Sequence, residues 1–104
     1  MSNYKLLYVT CKNSSEAKKI GSILVKNKLA ACTNIIKQIN SIFLWKKKVA
    51  SSKESILLGK TQKKNISKTI KIIKKNHSYT IPCIIFFDIS IGNKEFLNWI
   101  KKNS

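Results

Sequence analysis

The chain has 104 residues, enough for one domain with a modest core. Its 43% hydrophobic and 24% charged residues are the proportions of a folding globular chain, which excludes intrinsic disorder. The formal net charge of +17 points toward anionic partners, yet all 21 basic residues are lysine. A surface made to grip phosphates or bases draws on arginine's planar fork, and these lysines spread over every predicted polar face, with Lys46–Lys48 the longest run. Solvated surface charge is therefore favoured over nucleic-acid or membrane contact. No apolar stretch approaches the roughly 20 residues of a membrane helix. The opening ten residues read as a strand and lack the zones of a signal peptide, so a cytoplasmic location is expected. Three cysteines, Cys11, Cys32 and Cys83, are odd in number and far apart, which argues against a disulfide framework.

In chain order, Tyr4–Thr10 reads as a buried first strand. Asn13-Ser14-Ser15-Glu16 has the spacing of a capping box, with Asn13 as cap and Glu16 three residues on. The helix it opens places Ala17, Ile20, Ile23, Leu24 and Asn27 on one side and ends near Lys28. From Leu29 to Trp45 the chain turns β-branched and aromatic, and a second such run follows from Val49 to Lys60. Ile39, Ser41 and Phe43 alternate with Asn40, Ile42 and Leu44, an imperfect period of two. Two long antiparallel strands joined near Lys46 to Val49 are expected. A ribbon of that length outreaches the core of so small a protein, and its edge must be paired, covered or charged. Self-assembly is the implication.

A second helix is predicted from Lys63, with Ile66, Ile70 and Ile73 facing inward and Lys64, Lys68, Lys71 and Lys75 facing solvent. It stops before His77-Ser78-Tyr79-Thr80, because Ile81 precedes Pro82 and is pushed toward extended geometry. Cys83–Ile89 is a nearly continuous apolar run, the signature of a strand buried on both faces. Gly92-Asn93 turns the chain, and Asn93 caps a last helix carrying Phe96, Leu97 and Ile100. This order predicts a single α+β domain over residues 1–104, a ferredoxin-like split βαβ (βαββαβ) with a C-terminal helix and a sheet completed between subunits. The fold is a common one and says little about function.

The chemistry-bearing residues are few: one histidine, His77, and four acids, Glu16, Glu54, Asp88 and Glu95. Glu16 and Glu95 sit where helix N-termini favour acids. Acid–base catalysis needs groups within hydrogen-bond reach, and the pairs on offer are His77 with Asp88 or with Cys11. Gly59-Lys60-Thr61 looks like the tail of a phosphate loop, but residue 54 is Glu where that loop needs glycine. An enzyme is not expected. Trp45, Tyr79 and Trp99 lie too far apart in sequence for a base-stacking sheet. Packing at a subunit interface is the expectation for them.

Taken together, Thr10-Cys11, Leu29-Ala30-Ala31-Cys32-Thr33-Asn34-Ile35, Ser41-Ile42-Phe43-Leu44-Trp45, Lys48, Glu54, Lys60-Thr61, His77-Ser78-Tyr79, Pro82 and Phe96-Leu97-Asn98-Trp99 resemble, in order and spacing, the CutA family of divalent-cation tolerance proteins. The resemblance runs from Leu7 to Ile100. It implies a cytosolic homotrimer whose hairpins and edge strands pair between neighbours, binding of copper or other divalent cations, and a link to metal tolerance. It further implies metal ligation by His77 and Cys11, with Cys32 of the Ala-Ala-Cys motif as a third candidate. Burial as small hydrophobes is the alternative for all three cysteines. Tyr79, Trp45, Lys60 and Trp99 are the candidates for an intersubunit cleft. The chain departs from the family pattern at Ser78 and Thr80, where proline and glutamate are usual, at Cys83, where glutamate is common, and at Lys46-Lys47, where acidic and glycine residues stand. Two other readings are a small-ligand-binding trimeric module of the architecture of the nitrogen regulatory PII proteins, and a lysine-driven nucleic-acid binder.

Overall fold

The computed structural model of the chain describes residues 2–104, so Met1 lies outside the description. Among the described residues the elements are β1 (Tyr4–Cys11), α1 (Ser14–Lys26), β2 (Cys32–Trp45), β3 (Lys48–Gln62), a 3-10 turn (Lys63–Asn65), α2 (Ile66–Asn76), β4 (Ile84–Asp88) and α3 (Lys94–Asn103). The strands form one antiparallel sheet in the order β2-β3-β1-β4, the α+β arrangement that the element order predicts.

Strict alternation in β1 sends Leu7, Val9 and Cys11 into a core shared with Leu57 of β3, Ala17, Ile20 and Leu24 of α1, and Ile73 of α2. Lys5 holds the fourth inward position of β1 and is 4% exposed, against the expectation that lysines line solvated faces. Its ammonium is tolerated there because it donates to the Asp88 carboxylate at the end of β4.

Helix α1 starts as its sequence predicts: Asn13 Oδ1 accepts the Glu16 N–H at 2.8 Å. It lies close enough to the sheet that a Cβ added at Gly21 would sit 2.9 Å from Thr33 Oγ1. Asn27 is exposed rather than inward, and its side-chain amide donates to the Ile23 carbonyl at 2.8 Å, closing the last turn. In α2, Ile73 is buried beside an inward Thr69, whereas Ile66 and Ile70 are half-buried.

The ribbon is the dominant feature. From Ser55 to Gln62 β3 pairs with β1, and from Ile56 to Lys60 with β2 as well, but among the described residues Lys48–Glu54 pairs with β2 alone. At about 3.4 Å per residue this overhang is about 24 Å long, which explains the 45 × 25 × 23 Å shape of the subunit. A bulge between Ile36 and Ile39 marks where the ribbon leaves the body. One extra β2 residue is inserted there, so Ile36 and Ile39 point to the same face despite their odd separation. This is why the sequence alternation looks imperfect. Beyond the bulge both faces carry apolar groups: Ile42, Leu44 and Val49 are 75%, 74% and 75% exposed on one, and Trp45 is 62% exposed on the other.

The apolar run of β4 is not buried on both faces within the subunit. Ile84 and Phe86 pack on the core, while Ile85 and Phe87 stay open on the helix-free face, Phe87 meeting Tyr8 edge-on at 6.4 Å. β4 is an edge strand, and its second face is open in the single chain.

The ribbon turns through Lys46 and Lys47, whose φ angles of 51° and 66° lie in the left-handed region. A two-residue hairpin turn of this hand favours Asn-Gly, and non-glycine residues there cost about 1 kcal/mol each. Replacing Lys46-Lys47 by Asn-Gly is therefore expected to stabilise the protein by about 1 kcal/mol in urea denaturation at fixed protein concentration. An unchanged or lower midpoint would contradict the strained turn.

Candidate functional site

Two arrangements of polar side chains meet where β1 ends, α1 begins and the segment after α2 returns to the sheet. In the first, Cys11, Glu16 and His77 bring their donor atoms within 4.8 Å of one another. Glu16 holds this place because it is the third residue of a capped helix, but its carboxylate reaches further than the cap. Oε1 accepts the Lys12 N–H at 3.0 Å, and Oε2 accepts the Ser78 N–H at 2.9 Å, 62 residues away. His77, released from α2 by the coming proline, lies with its ring inside. Its Nε2 is 2.8 Å from the Thr10 carbonyl, and its Nδ1 accepts the Tyr79 N–H at 3.0 Å. A carbonyl only accepts, so these two bonds select the Nε2–H tautomer.

Electrostatics follow from this packing. Burial alone would raise the Glu16 carboxyl, but the bonds from Lys12 and Ser78, with His77 beside it, hold it below its ordinary value of 4.5. The Cys11 thiol is pushed up to about 12 by burial, reinforced by the Glu16 and Glu54 carboxylates. It stays protonated at neutral pH.

The second arrangement is a groove of about 990 Å³ between the ribbon and the Ser78–Cys83 segment, with Thr10 also in its lining. Phe43, Trp45 and Glu54 stand on the ribbon side, Tyr79, Ile81 and Cys83 opposite. The Tyr79 hydroxyl donates to Glu54 Oε2 at 2.7 Å. Burial and this carboxylate hold the Tyr79 phenol well above its usual range, so it remains a donor.

The sequence candidates thus divide. Cys11 and His77 come together, joined by Glu16, which the sequence marks only as a capping residue. Cys32 does not join them. It pairs with Lys60 while Cys11 pairs with Ser55, five residues or about 17 Å along β3. Tyr79 and Trp45 line the groove, but Lys60 and Trp99 do not. Lys60 donates to Asn34 on β2, and Trp99 stacks on Phe96 within α3 at 5.5 Å. Asp88, a conceivable partner of His77, is held by Lys5 instead.

The donor set does not fit a divalent ion as it stands. Both ring nitrogens of His77 are engaged by backbone groups, whereas metal ligation needs a free imidazole lone pair.

Fold and groove together define a ferredoxin-like α+β subunit with a long, apolar, uncovered ribbon. The family model described as CutA1 divalent ion tolerance protein matches residues 5–103, and the chain belongs to that family. It is 38% identical over 97 residues to the divalent-cation tolerance protein CutA of Archaeoglobus fulgidus, covering 93% of this chain and 94% of that one. A solved structure described as the periplasmic divalent cation tolerance protein CutA from the same organism superposes with a TM-score of 0.93 at 37% identity, over 96% of this chain and 97% of that one. The divalent cation tolerance protein (Cut A1) from Thermus thermophilus superposes with a TM-score of 0.95 at 34% identity, over 97% and 98%. The chain spans little more than half the length of some other relatives, among them 56% of the Oryza sativa protein CutA 1, chloroplastic, which it matches at 33% identity over 95% of its own length.

The lowered Glu16 carboxyl sets a pH dependence. The unfolded chain takes up this proton at higher pH than the folded one, so the contribution is fully present above about pH 4.5 and is lost as pH falls further. Asp88, lowered by its bond from Lys5, adds a slope of the same sign. Urea midpoints measured from pH 7 to pH 3 are expected to fall less steeply below pH 4.5 in Glu16→Gln than in the wild type. Parallel curves would show that the carboxylate bonds are not formed. Glu16→Ala, which removes the acceptor of two part-buried N–H groups, is expected to lower stability by about 2 kcal/mol.

Proposed function

We propose that the chain acts in divalent-cation tolerance as a homotrimer, in which neighbouring ribbons cover each other and the groove becomes an intersubunit cleft. The observation that carries this reading is the double-sided apolar ribbon, whose Ile42, Leu44, Trp45 and Val49 remain 62–75% exposed within the single chain. Covering those four side chains contributes on the order of 5 kcal/mol per subunit. The open Ile85 and Phe87 on the edge strand β4 support it independently. Three copies is the number that resemblance to the family implies. A non-catalytic role accompanies this reading, since His77 is committed to backbone bonds.

The ion we propose is copper, which binds nitrogen and sulfur donors more tightly than other first-row divalent metals and in its cuprous form favours thiolates. The accessible soft donors are the half-buried free thiols of Cys83 in the groove and Cys32 at the start of β2. A second reading, a cleft for a small organic ligand, is favoured by the largely apolar groove with the Glu54–Tyr79 hydrogen bond in its wall.

Sedimentation of the native protein at micromolar concentration is expected to give about three times the 11.9 kDa chain mass. Leu44→Lys with Val49→Lys is expected to shift it toward the monomer. A wild type that sediments as a folded monomer would overturn the assembly. Equilibrium dialysis against copper then separates the two ligand readings, because absence of binding at micromolar free metal leaves the small-ligand cleft.

A further inference from the structure

The cluster of Cys11, Glu16 and His77 has the residue types of a metal site, and its bonding is that of something else. We propose that it is a clasp that positions the groove wall, and that ions added to the folded protein do not enter it.

The histidine is already committed at both ring nitrogens. A metal ion needs an imidazole nitrogen lone pair, and a ligating histidine ordinarily gives its other nitrogen's hydrogen to a carbonyl or carboxylate. His77 satisfies the second half of that rule through Thr10, but its free lone pair, at Nδ1, already accepts the Tyr79 N–H. Coordination at Nδ1 would orphan that amide, and coordination at Nε2 would cost the Thr10 bond. Glu16 has one backbone N–H on each oxygen. Cys11 has a fully buried side chain packed into the core between β1 and α1. A tetrahedral ion at about 2.0–2.3 Å from nitrogen, oxygen and sulfur would hold its donors roughly 3.5 Å apart. His77 Nε2 and Glu16 Oε1 stand 3.9 Å apart with no such ion required, and the full set spreads to 4.8 Å. Drawing them in would break bonds that are already made.

What those bonds accomplish is continuous. Thr10 of β1 holds the His77 ring, the ring holds the Tyr79 amide, and the Tyr79 hydroxyl holds Glu54 on the ribbon. Glu16 anchors the same segment through the Ser78 amide. Ser78 and Tyr79 are groove wall, so the clasp fixes how far that wall stands from the ribbon. His77 is thus a positioning residue.

The test follows two readouts in the native protein, with zinc(II) and copper(I) as the probe metals: bound metal by equilibrium dialysis, and amide exchange at Ser78 and Tyr79. The metal-free wild type is expected to protect both amides, and added metal is expected to leave that protection unchanged. Cys11→Ser is expected to keep the wild-type metal stoichiometry, and His77→Ala to speed exchange at both amides by about tenfold, the equivalent of losing one buried hydrogen bond. Metal-induced loss of Tyr79 protection, or loss of stoichiometric binding in Cys11→Ser, would overturn the proposal. The wild-type exchange measurement decides the matter by itself if the variants fail to fold. A wild type that binds neither metal upholds the clasp while removing the copper reading, so the two stand or fall separately.

Discussion

A two-stranded ribbon with apolar groups on both faces is at best marginal in water, and this one extends past every other strand of its sheet. Isolated hairpins are marginal because one pairing leaves two open faces and two open edges. Here the body of the subunit anchors the ribbon's base, with β1 completing β3 as far as Ser55 and the bulge at Ile36–Ile39 redirecting what lies beyond. In the assembly proposed above, the remainder is covered by other copies of the chain. The same dependence recurs at β4, whose helix-free face shows Ile85 and Phe87 to solvent. On that proposal subunit folding and assembly are one process, and the strong positive charge stays on the solvated surface. Every lysine but Lys5 keeps its charge away from the core, and Lys5 meets a carboxylate.

The groove depends on the ribbon in turn. One wall is ribbon and the other is the short segment between α2 and β4, which would have little rigidity of its own. Helix-breaking before Pro82 frees that segment, and the buried histidine and capping glutamate then tie it to β1 and the start of α1 through backbone bonds. The residue types that suggest ligation are spent on shape. The divalent-cation binding proposed above is better sought where donors remain accessible.

Much of this is readable without coordinates. The element order, the Asn13–Glu16 cap, the stop ahead of His77 and the excessive length of the central strands are local or periodic signals, and each corresponds to a feature of the fold. What escapes such a reading depends on residues distant in sequence. Lys5 is buried because Asp88 arrives 83 positions later. Glu16 looks complete as a cap, and nothing local announces its bond to Ser78. Cys32 sits in a motif beside two alanines, but only strand register shows how far it lies from Cys11. The apolar run before Ile89 misleads for a different reason: sequence marks a strand as covered on both faces without saying whether helices or another molecule do the covering.

The central claim is that the outer edge of β2 is completed by a second copy of the chain. Amide exchange resolved along β2 tests it most directly, because alternate N–H groups face β3 and the outside. The account predicts that outward-facing amides between Asn40 and Trp45 are protected at micromolar concentration and lose that protection on dilution, while inward-facing amides keep theirs longer. Outward amides exchanging freely at every concentration, beside a stably paired β2–β3 ribbon, would contradict it.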